Sequence, residues 1–420
     1  MIPHRHISPL VHAPFARALF LAAFLLPAAN LSRAADAAAL APSATAPTAP
    51  AAPAPATVTA LENYATTTIG DAVFIQPPDE RPFADEIAAS YNFPIRLLDQ
   101  NGFDAQMDRW RQHDLPLIAK LLGLPQPTDA MNAAFTQFRD FCKPTIEDTI
   151  GEARIYALAD LRAAAAKGIK VEGVGYNPDT AALSIANYIS VERTLADGTK
   201  KKFRVVPIVL PDPKPDDLAT RMRIFNARLR DMRWQLDEAI YNAYCGRLYE
   251  ITKPEITATV NQSRFPLWLV EGMTNAIPLV IIRSHNPLLT FEQILASRAA
   301  QLPPDFKTQA AGIDLDTWAL TRTQPPTKAE ADSYFFLCAL VVLDAIQQNG
   351  EDWLPAFFTR LRNENSPALN MAVLCKIYTD VTEKDLHDSI ARVKDNLAPK
   401  DDAAKTTAAT LLPPPPPAPK

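Results

Sequence analysis

The sequence predicts an α+β fold in which a helical front region is followed by a small antiparallel sheet and then by a mainly helical lobe. Apolar residues recur at helical spacing over most of residues 83–167 and again from residue 216 onward. Between these two stretches the pattern changes to one rich in β-branched residues and typical of strands. With 48% hydrophobic and 21% charged residues, the composition is that of a globular protein.

The front region, residues 61–170, is predicted to be helical. Its candidate helices cover residues 83–91, 104–122, 129–141 and 145–167. The last of these is rich in alanine and stops at Lys167-Gly168, a sequence typical of a helix end.

The predicted sheet follows in residues 171–210. Its strands are expected within residues 171–176, 182–195 and 200–210. The sequence Ala-Asp-Gly-Thr at residues 196–199 predicts a hairpin turn between the last two. Three prolines at residues 211, 213 and 215 close the strand region and mark a boundary.

A long helix is predicted over about residues 216–249. One apolar stripe runs along it at steps of three and four residues: Met222, Phe225, Leu229, Met232, Leu236, Ile240 and Ala243. A second stripe follows Trp234, Glu238, Tyr241, Cys245 and Leu248. Glu238 is therefore expected in apolar surroundings, which is unusual for a carboxylate.

A second isolated acid, Glu271, lies in the apolar segment 267–273 just after a predicted helix start at Pro266. A carboxylate in such surroundings costs several kcal/mol of desolvation unless it is paired, protonated or bound to a metal. Two such carboxylates in neighbouring helices predict a functional site.

The segments that follow resemble, in order, parts of the gluzincin metallopeptidases, particularly the group called peptidase MA-like. Trp268-Leu269-Val270-Glu271-Gly272-Met273 is similar to the family's WLxEG segment, in which the Glu is the third zinc ligand. Residues 287–295, the Asp-Ser-Tyr sequence at 332–334 and residues 349–354 resemble later parts of the family. The likeness covers roughly residues 171–395 and implies a gluzincin-like arrangement of sheet and helical lobe.

This sequence departs from the family at the HExxH motif, whose two histidines bind zinc while its Glu activates the metal-bound water. The resemblance places Asp237 and Tyr241 at the two histidine positions and keeps Glu238 as a remnant general base. Glu271 is then the remnant third ligand. Because catalytic zinc usually takes nitrogen donors, we expect no metal at these positions and no cofactor.

Three interpretations of the retained carboxylates stay open. They are a polar network with donors such as Tyr241, Tyr244, Asn242 or Asn275; a non-standard metal set completed by His285; and an acid and base pair without metal. Tyr334 resembles a tyrosine often found near the gluzincin site, and a core position is the alternative.

The two ends of the chain predict export. Residues 1–34 combine arginines, a short apolar run and small residues, as in a secretory signal, and the run is too short to span a bilayer. Residues 35–60 are Ala- and Pro-rich and residues 396–420 Pro-rich, as expected of a disordered linker and tail. The predicted location is the periplasm or the medium, with no integral membrane segment after signal cleavage.

Several function classes are disfavoured. A formal charge of −5 gives no electrostatic footprint for nucleic acid, and neither GxSxG nor a Cys-His motif is present. The four cysteines at 142, 245, 338 and 375 allow either free thiols or disulfides, with the pairing undetermined. Trp234, Trp268 and Trp353 are expected in the core.

The sequence therefore favours an exported peptidase-MA-like protein that is an inactive or non-canonical metallopeptidase homologue and binds a peptide or protein. One alternative is an active zinc-dependent metallohydrolase with unusual ligands, in which zinc would be the cofactor. The other is a structural protein of the cell envelope.

Overall fold

The computed structural model describes residues 60–180, 182–186, 189–195, 197–259, 266–286, 288–294, 302, 305–318, 327–366 and 369–397. They divide into two compact units. The sheet unit contains the described residues up to Trp110 together with Thr136–Tyr244, and the helical unit contains Arg111–Phe135 and the described residues from Cys245 onward. The boundary expected at residue 170 falls inside the sheet unit. The predicted signal at 1–34, nearly all of the linker at 35–60 and nearly all of the tail at 396–420 lie outside the described residues.

The α+β class is confirmed, with strands and helices in the following order. The strands are β1 (Ala65–Ile69), β2 (Ala72–Gln76), β3 (Ile95–Arg96), β4 (Thr149–Ala157), β5 (Val174–Asn177), β6 (Ala182–Ile185), β7 (Ser190–Thr194) and β8 (Lys200–Leu210). The helices are α1 (Arg81–Ser90), α2 (Gln100–Leu121), α3 (Asp129–Ile146), α4 (Leu158–Ala166), α5 (Leu218–Thr259), α6 (Leu267–His285), α7 (Phe306–Ala311), α8 (Lys328–Asn349), α9 (Trp353–Asn363), α10 (Met371–Thr382) and α11 (Leu386–Leu397).

The sheet is larger than the sequence predicts, and it is mixed rather than antiparallel. Six strands form it in the order β1-β2-β4-β8-β7, with β3 also paired to β4, and β4 runs parallel to both β2 and β8. The hairpin expected at residues 196–199 is confirmed by the antiparallel pairing of β7 with β8. Strands β5 and β6 form a separate two-stranded sheet.

The prediction of one helix over residues 145–167 is wrong, and the front region predicted to be helical, residues 61–170, also contains strands β1 to β4. Helix α3 ends at Ile146, α4 begins at Leu158, and β4 lies between them. Strand β4 is buried on both faces along nearly all of its length. Such a strand shows no polar-apolar alternation, so its period does not separate it from a buried helix.

Helix α5 has the apolar stripe that the sequence predicts, since Phe225, Leu229, Met232, Leu236 and Ile240 are all buried. The second stripe is buried only in its last part. Cys245 and Leu248 are fully buried, whereas Trp234 is 47% exposed, which corrects its predicted core position.

In the helical unit, α6 and α8 pack extensively along each other. Gly272 makes this close approach possible. A Cβ atom at this position would lie 2.7 Å from the backbone oxygen of Cys338 on α8, closer than real contacts allow. The glycine after Glu271 thus has a packing role.

All four cysteines are free thiols, and three of them are buried. Trp268 and Trp353 are buried, as predicted. Within the described ranges, no helix has both the length and the apolar character needed to cross a membrane.

Candidate functional site

Asp237, Glu238 and Tyr241 lie on successive turns of α5, within the sheet unit. Asp237 is exposed, while Glu238 and Tyr241 are partly buried. Desolvation of the carboxyl groups raises the pKa of both Asp237 and Glu238. Glu238 was expected in apolar surroundings, and its side chain is partly rather than fully buried.

The same face of α5 presents an exposed aromatic side chain. Trp234 precedes Asp237 by three residues and Tyr241 by seven, so all three project from one side of the helix. The Tyr241 ring lies 6.0 Å from that of Trp110, between centroids. We call the side chains of Trp234, Asp237, Glu238 and Tyr241 the α5 face.

Glu271 lies on α6 in the helical unit, and its residue is only 3% exposed. Two side chains from the C-terminal part of α5 contact its carboxylate. The Tyr249 hydroxyl donates to Oε2 at 3.2 Å, and Lys253 Nζ lies 3.4 Å from Oε1. Lys253 also donates to the Tyr249 hydroxyl at 2.9 Å, which closes a three-membered network.

This network has other members than the sequence predicts. Asn275 was expected to donate to a carboxylate, but its Nδ2 donates to the backbone oxygen of Glu271 at 2.7 Å, one helical turn back. Tyr249 and Lys253 were not anticipated. The sequence indicates only that Tyr249 and Lys253 are neighbours, because they are four residues apart and share a helix face.

Tyr334 lies in the core of the helical unit and is fully buried. Its ring stacks on Trp318 at 4.1 Å, and its hydroxyl lies 3.5 Å from the backbone oxygen of Leu315. Burial chiefly, and then interactions with Cys338 and the negative charge of Glu271, raise the pKa of Tyr334.

The four positions that the family resemblance singles out are divided between the two units. Asp237, Glu238 and Tyr241 belong to the sheet unit, and Glu271 belongs to the helical unit. Their convergence around one hollow stays a prediction.

Two other groups of potential metal ligands lie within the helical unit. The first combines His113 and Asp114 of α2 with His285, the last residue of α6. His113 Nδ1 lies 2.7 Å from Asp114 Oδ1, and His285 Nε2 lies 2.9 and 3.0 Å from the two oxygens of the same carboxylate. This cluster could not be predicted from the sequence, because 171 residues separate Asp114 from His285.

The second group contains Cys375, Asp385 and His387. His387 Nδ1 lies 3.0 Å from Asp385 Oδ1 and 3.5 Å from the Cys375 sulfur. Burial, followed by the charges of Asp385 and Asp316, raises the pKa of Cys375 to about 11. The thiol is therefore protonated at neutral pH, which disfavours a role as a nucleophile.

No family model matches the sequence, and no match is found among curated proteins or solved structures.

Proposed function

We propose that this protein is an exported, peptidase-MA-like protein that has lost zinc catalysis and binds a peptide or protein partner. The observation that carries the proposal is the contact between Lys253 and the buried carboxylate of Glu271. The family resemblance makes Glu271 a remnant zinc ligand. In this chain its carboxylate faces an ammonium group of the same unit.

An internal ammonium changes the electrostatics of the remnant position. A buried carboxylate needs a positive partner, and Lys253 provides one through a direct contact that Tyr249 reinforces. A divalent cation at Glu271 would have to displace this lysine or accept its repulsion at short range. The replacement of both HExxH histidines by Asp237 and Tyr241 removes the nitrogen donors that zinc prefers. Both features favour a protein without metal at Glu271.

The α5 face supports a binding role. Tryptophan is enriched among the residues that carry binding energy at interfaces, and Trp234 presents nearly half of its surface to solvent. Two carboxyl groups follow it on the same face. This combination of an aromatic surface with negative charge suits a peptide segment that carries Lys or Arg beside apolar side chains.

Peptide binding to the purified protein tests this proposal. Fluorescently labelled peptides of matched length that are basic-aromatic, acidic-aromatic or neutral would be titrated with the protein while anisotropy is measured. We expect the basic-aromatic peptides to bind most tightly and Trp234→Ala to weaken their binding at least tenfold. Phe141→Ala is the matched control, since Phe141 is an exposed aromatic residue of the same unit and is 64% exposed. Equal losses in both variants would contradict the role given to the α5 face.

One observation favours the enzyme alternative. Burial raises the pKa of Glu238, as general acids and bases often require. In that case the protein hydrolyses peptides, and Glu238→Gln abolishes turnover while the fold is kept. Turnover that survives this substitution would remove the alternative.

A further inference from the structure

The cluster of His113, Asp114 and His285 combines a buried charge with two ligand-type nitrogens. Asp114 is completely buried, and both of its oxygens are contacted by imidazole nitrogens. The side chain of His285 is 17% exposed and that of His113 is 57% exposed. The cluster is thus anchored in the interior of the helical unit and open to solvent on the His113 side.

Buried carboxylates in proteins are paired with hydrogen-bond donors or cations, or they coordinate a metal. Here one ring nitrogen of each of two imidazoles lies against the Asp114 carboxylate, so two nitrogen ligands and one oxygen ligand lie side by side. A divalent cation would neutralise the carboxylate and use both nitrogens as ligands. We propose that His113, Asp114 and His285 form a binding site for a divalent transition-metal ion, with Zn²⁺ as the preferred ion.

The donor atoms lie close to the arrangement that such an ion needs. One atom from each of the three residues lies within 4.8 Å of the others. Ligands at roughly 2.0–2.2 Å from a tetrahedral Zn²⁺ are about 3.4 Å apart. The two His to Asp114 contacts, now 2.7 and 2.9 Å, would lengthen by roughly half an ångström when an ion replaces the bridging protons. Two imidazoles and one carboxylate are a common ligand set for Zn²⁺ and Fe²⁺.

The open side of the cluster accounts for the remaining coordination position and for entry of the ion. Three protein ligands leave a fourth tetrahedral position for water. The exposed His113 side chain places this position at the surface. Because His285 ends α6 and Asp114 lies on α2, a bound ion would tie two distant stretches of the chain together within the helical unit.

The cluster of Cys375, Asp385 and His387 is the main competitor for metal. Its Asp and His side chains are both more than half exposed, and it contains no fully buried carboxylate. Less of its geometry is fixed by packing, so we expect the weaker affinity there. It therefore serves as the internal control.

Zinc titration of the full chain tests the site. Protein treated with chelator and then dialysed would be titrated with Zn²⁺ by calorimetry, and Co²⁺ absorption would report a four-coordinate site. We expect one tight site in the unchanged protein and a higher thermal midpoint when it is filled. His113→Ala and His285→Ala should each weaken Zn²⁺ binding at least about 100-fold, because losing even a residue that only hydrogen-bonds to a metal ligand weakens metal affinity about 10–100-fold.

His387→Ala is the matched control for His113→Ala, since the two histidine side chains are 60% and 57% exposed. We expect tight Zn²⁺ binding to survive it. Loss of the site in His387→Ala with retention in His113→Ala would overturn the assignment, as would the absence of stoichiometric binding by the unchanged protein. Zinc bound here without peptide hydrolysis leaves the proposed function intact, so the two proposals fail independently.

Discussion

Replacing Lys253 with methionine removes the ammonium group next to Glu271 while it keeps the length and most of the apolar packing of the side chain. The carboxylate of Glu271, in a residue only 3% exposed, would then keep the Tyr249 hydroxyl but lose its described cation. Removing one partner of a buried ion pair costs about 3–5 kcal/mol. The Lys253 side chain is 26% exposed and its contact of 3.4 Å is long, so we expect about 2–3 kcal/mol.

Thermal unfolding followed by circular dichroism measures this loss. For a unit of about 150–250 residues, 1 kcal/mol shifts the midpoint by roughly 2–4 °C, so Lys253→Met should lower it by roughly 5–10 °C. Adding Glu271→Gln removes the buried carboxylate charge that Lys253 contacts, and the double variant should recover part of the lost stability. A double-mutant cycle then gives the coupling between the two residues directly.

Lys328→Met is the matched control, because the Lys328 side chain is 71% exposed and contacts Asp332 at 3.1 Å one helical turn away. Helical ion pairs at this spacing contribute about 0.3–0.5 kcal/mol, so this variant should change the midpoint by no more than a few degrees. A Lys253→Met variant as stable as the original protein would refute the reasoning. Equal effects of the two lysine substitutions would do the same.

Two further predictions concern the helix contact and the partly buried acid. Gly272→Ala should destabilise the protein by about 1–3 kcal/mol, because its new Cβ would lie 2.7 Å from the Cys338 backbone oxygen. Chemical denaturation measures this change in the free energy of unfolding. Glu238→Gln should raise the thermal midpoint at pH 7 and leave it unchanged near pH 3. Burial raises the pKa of Glu238 in the folded protein, so folding favours its protonated form, and stability declines as pH rises above the ordinary carboxyl pKa of about 4.3.

Each of these predictions has a control in the same chain. Gly312→Ala places a Cβ at an ordinary 3.6 Å from its nearest neighbour, so it should leave stability nearly unchanged. Glu364→Gln should lower the midpoint at pH 7, the opposite of Glu238→Gln, because hydrogen bonds from Ser366 lower the pKa of Glu364. If Gly272→Ala lowered the free energy of unfolding no more than Gly312→Ala does, the close contact between α6 and α8 at Gly272 would be contradicted. A midpoint change of the same sign in both Glu variants would contradict the pKa argument.

The helical part of the fold follows from the sequence where one face of a helix is buried. The stripe from Phe225 to Ile240 on α5 repeats at helical spacing and is buried as predicted. Strand β4 was not predicted, because both of its faces are buried and its sequence therefore does not alternate between polar and apolar residues. Its two parallel pairings join strands far apart in the chain, which a local pattern does not reveal.

The candidate site, too, could be predicted only in part from the sequence. The burial of Glu271 could be predicted, because the residues around it in the sequence are apolar. Its partners could not, since Tyr249 and Lys253 approach from another helix. The cluster around Asp114 depends on a contact across 171 residues and has no local signature.

Peptide hydrolysis by the purified protein, measured with and without a metal chelator, tests the proposed absence of zinc catalysis most directly. A broad mixture of unlabelled peptides analysed by mass spectrometry would report cleavage of any sequence. We predict no cleavage above that of a Glu238→Gln control, in the presence or absence of added Zn²⁺. Cleavage that the chelator abolishes, Zn²⁺ restores and Glu238→Gln eliminates would contradict it.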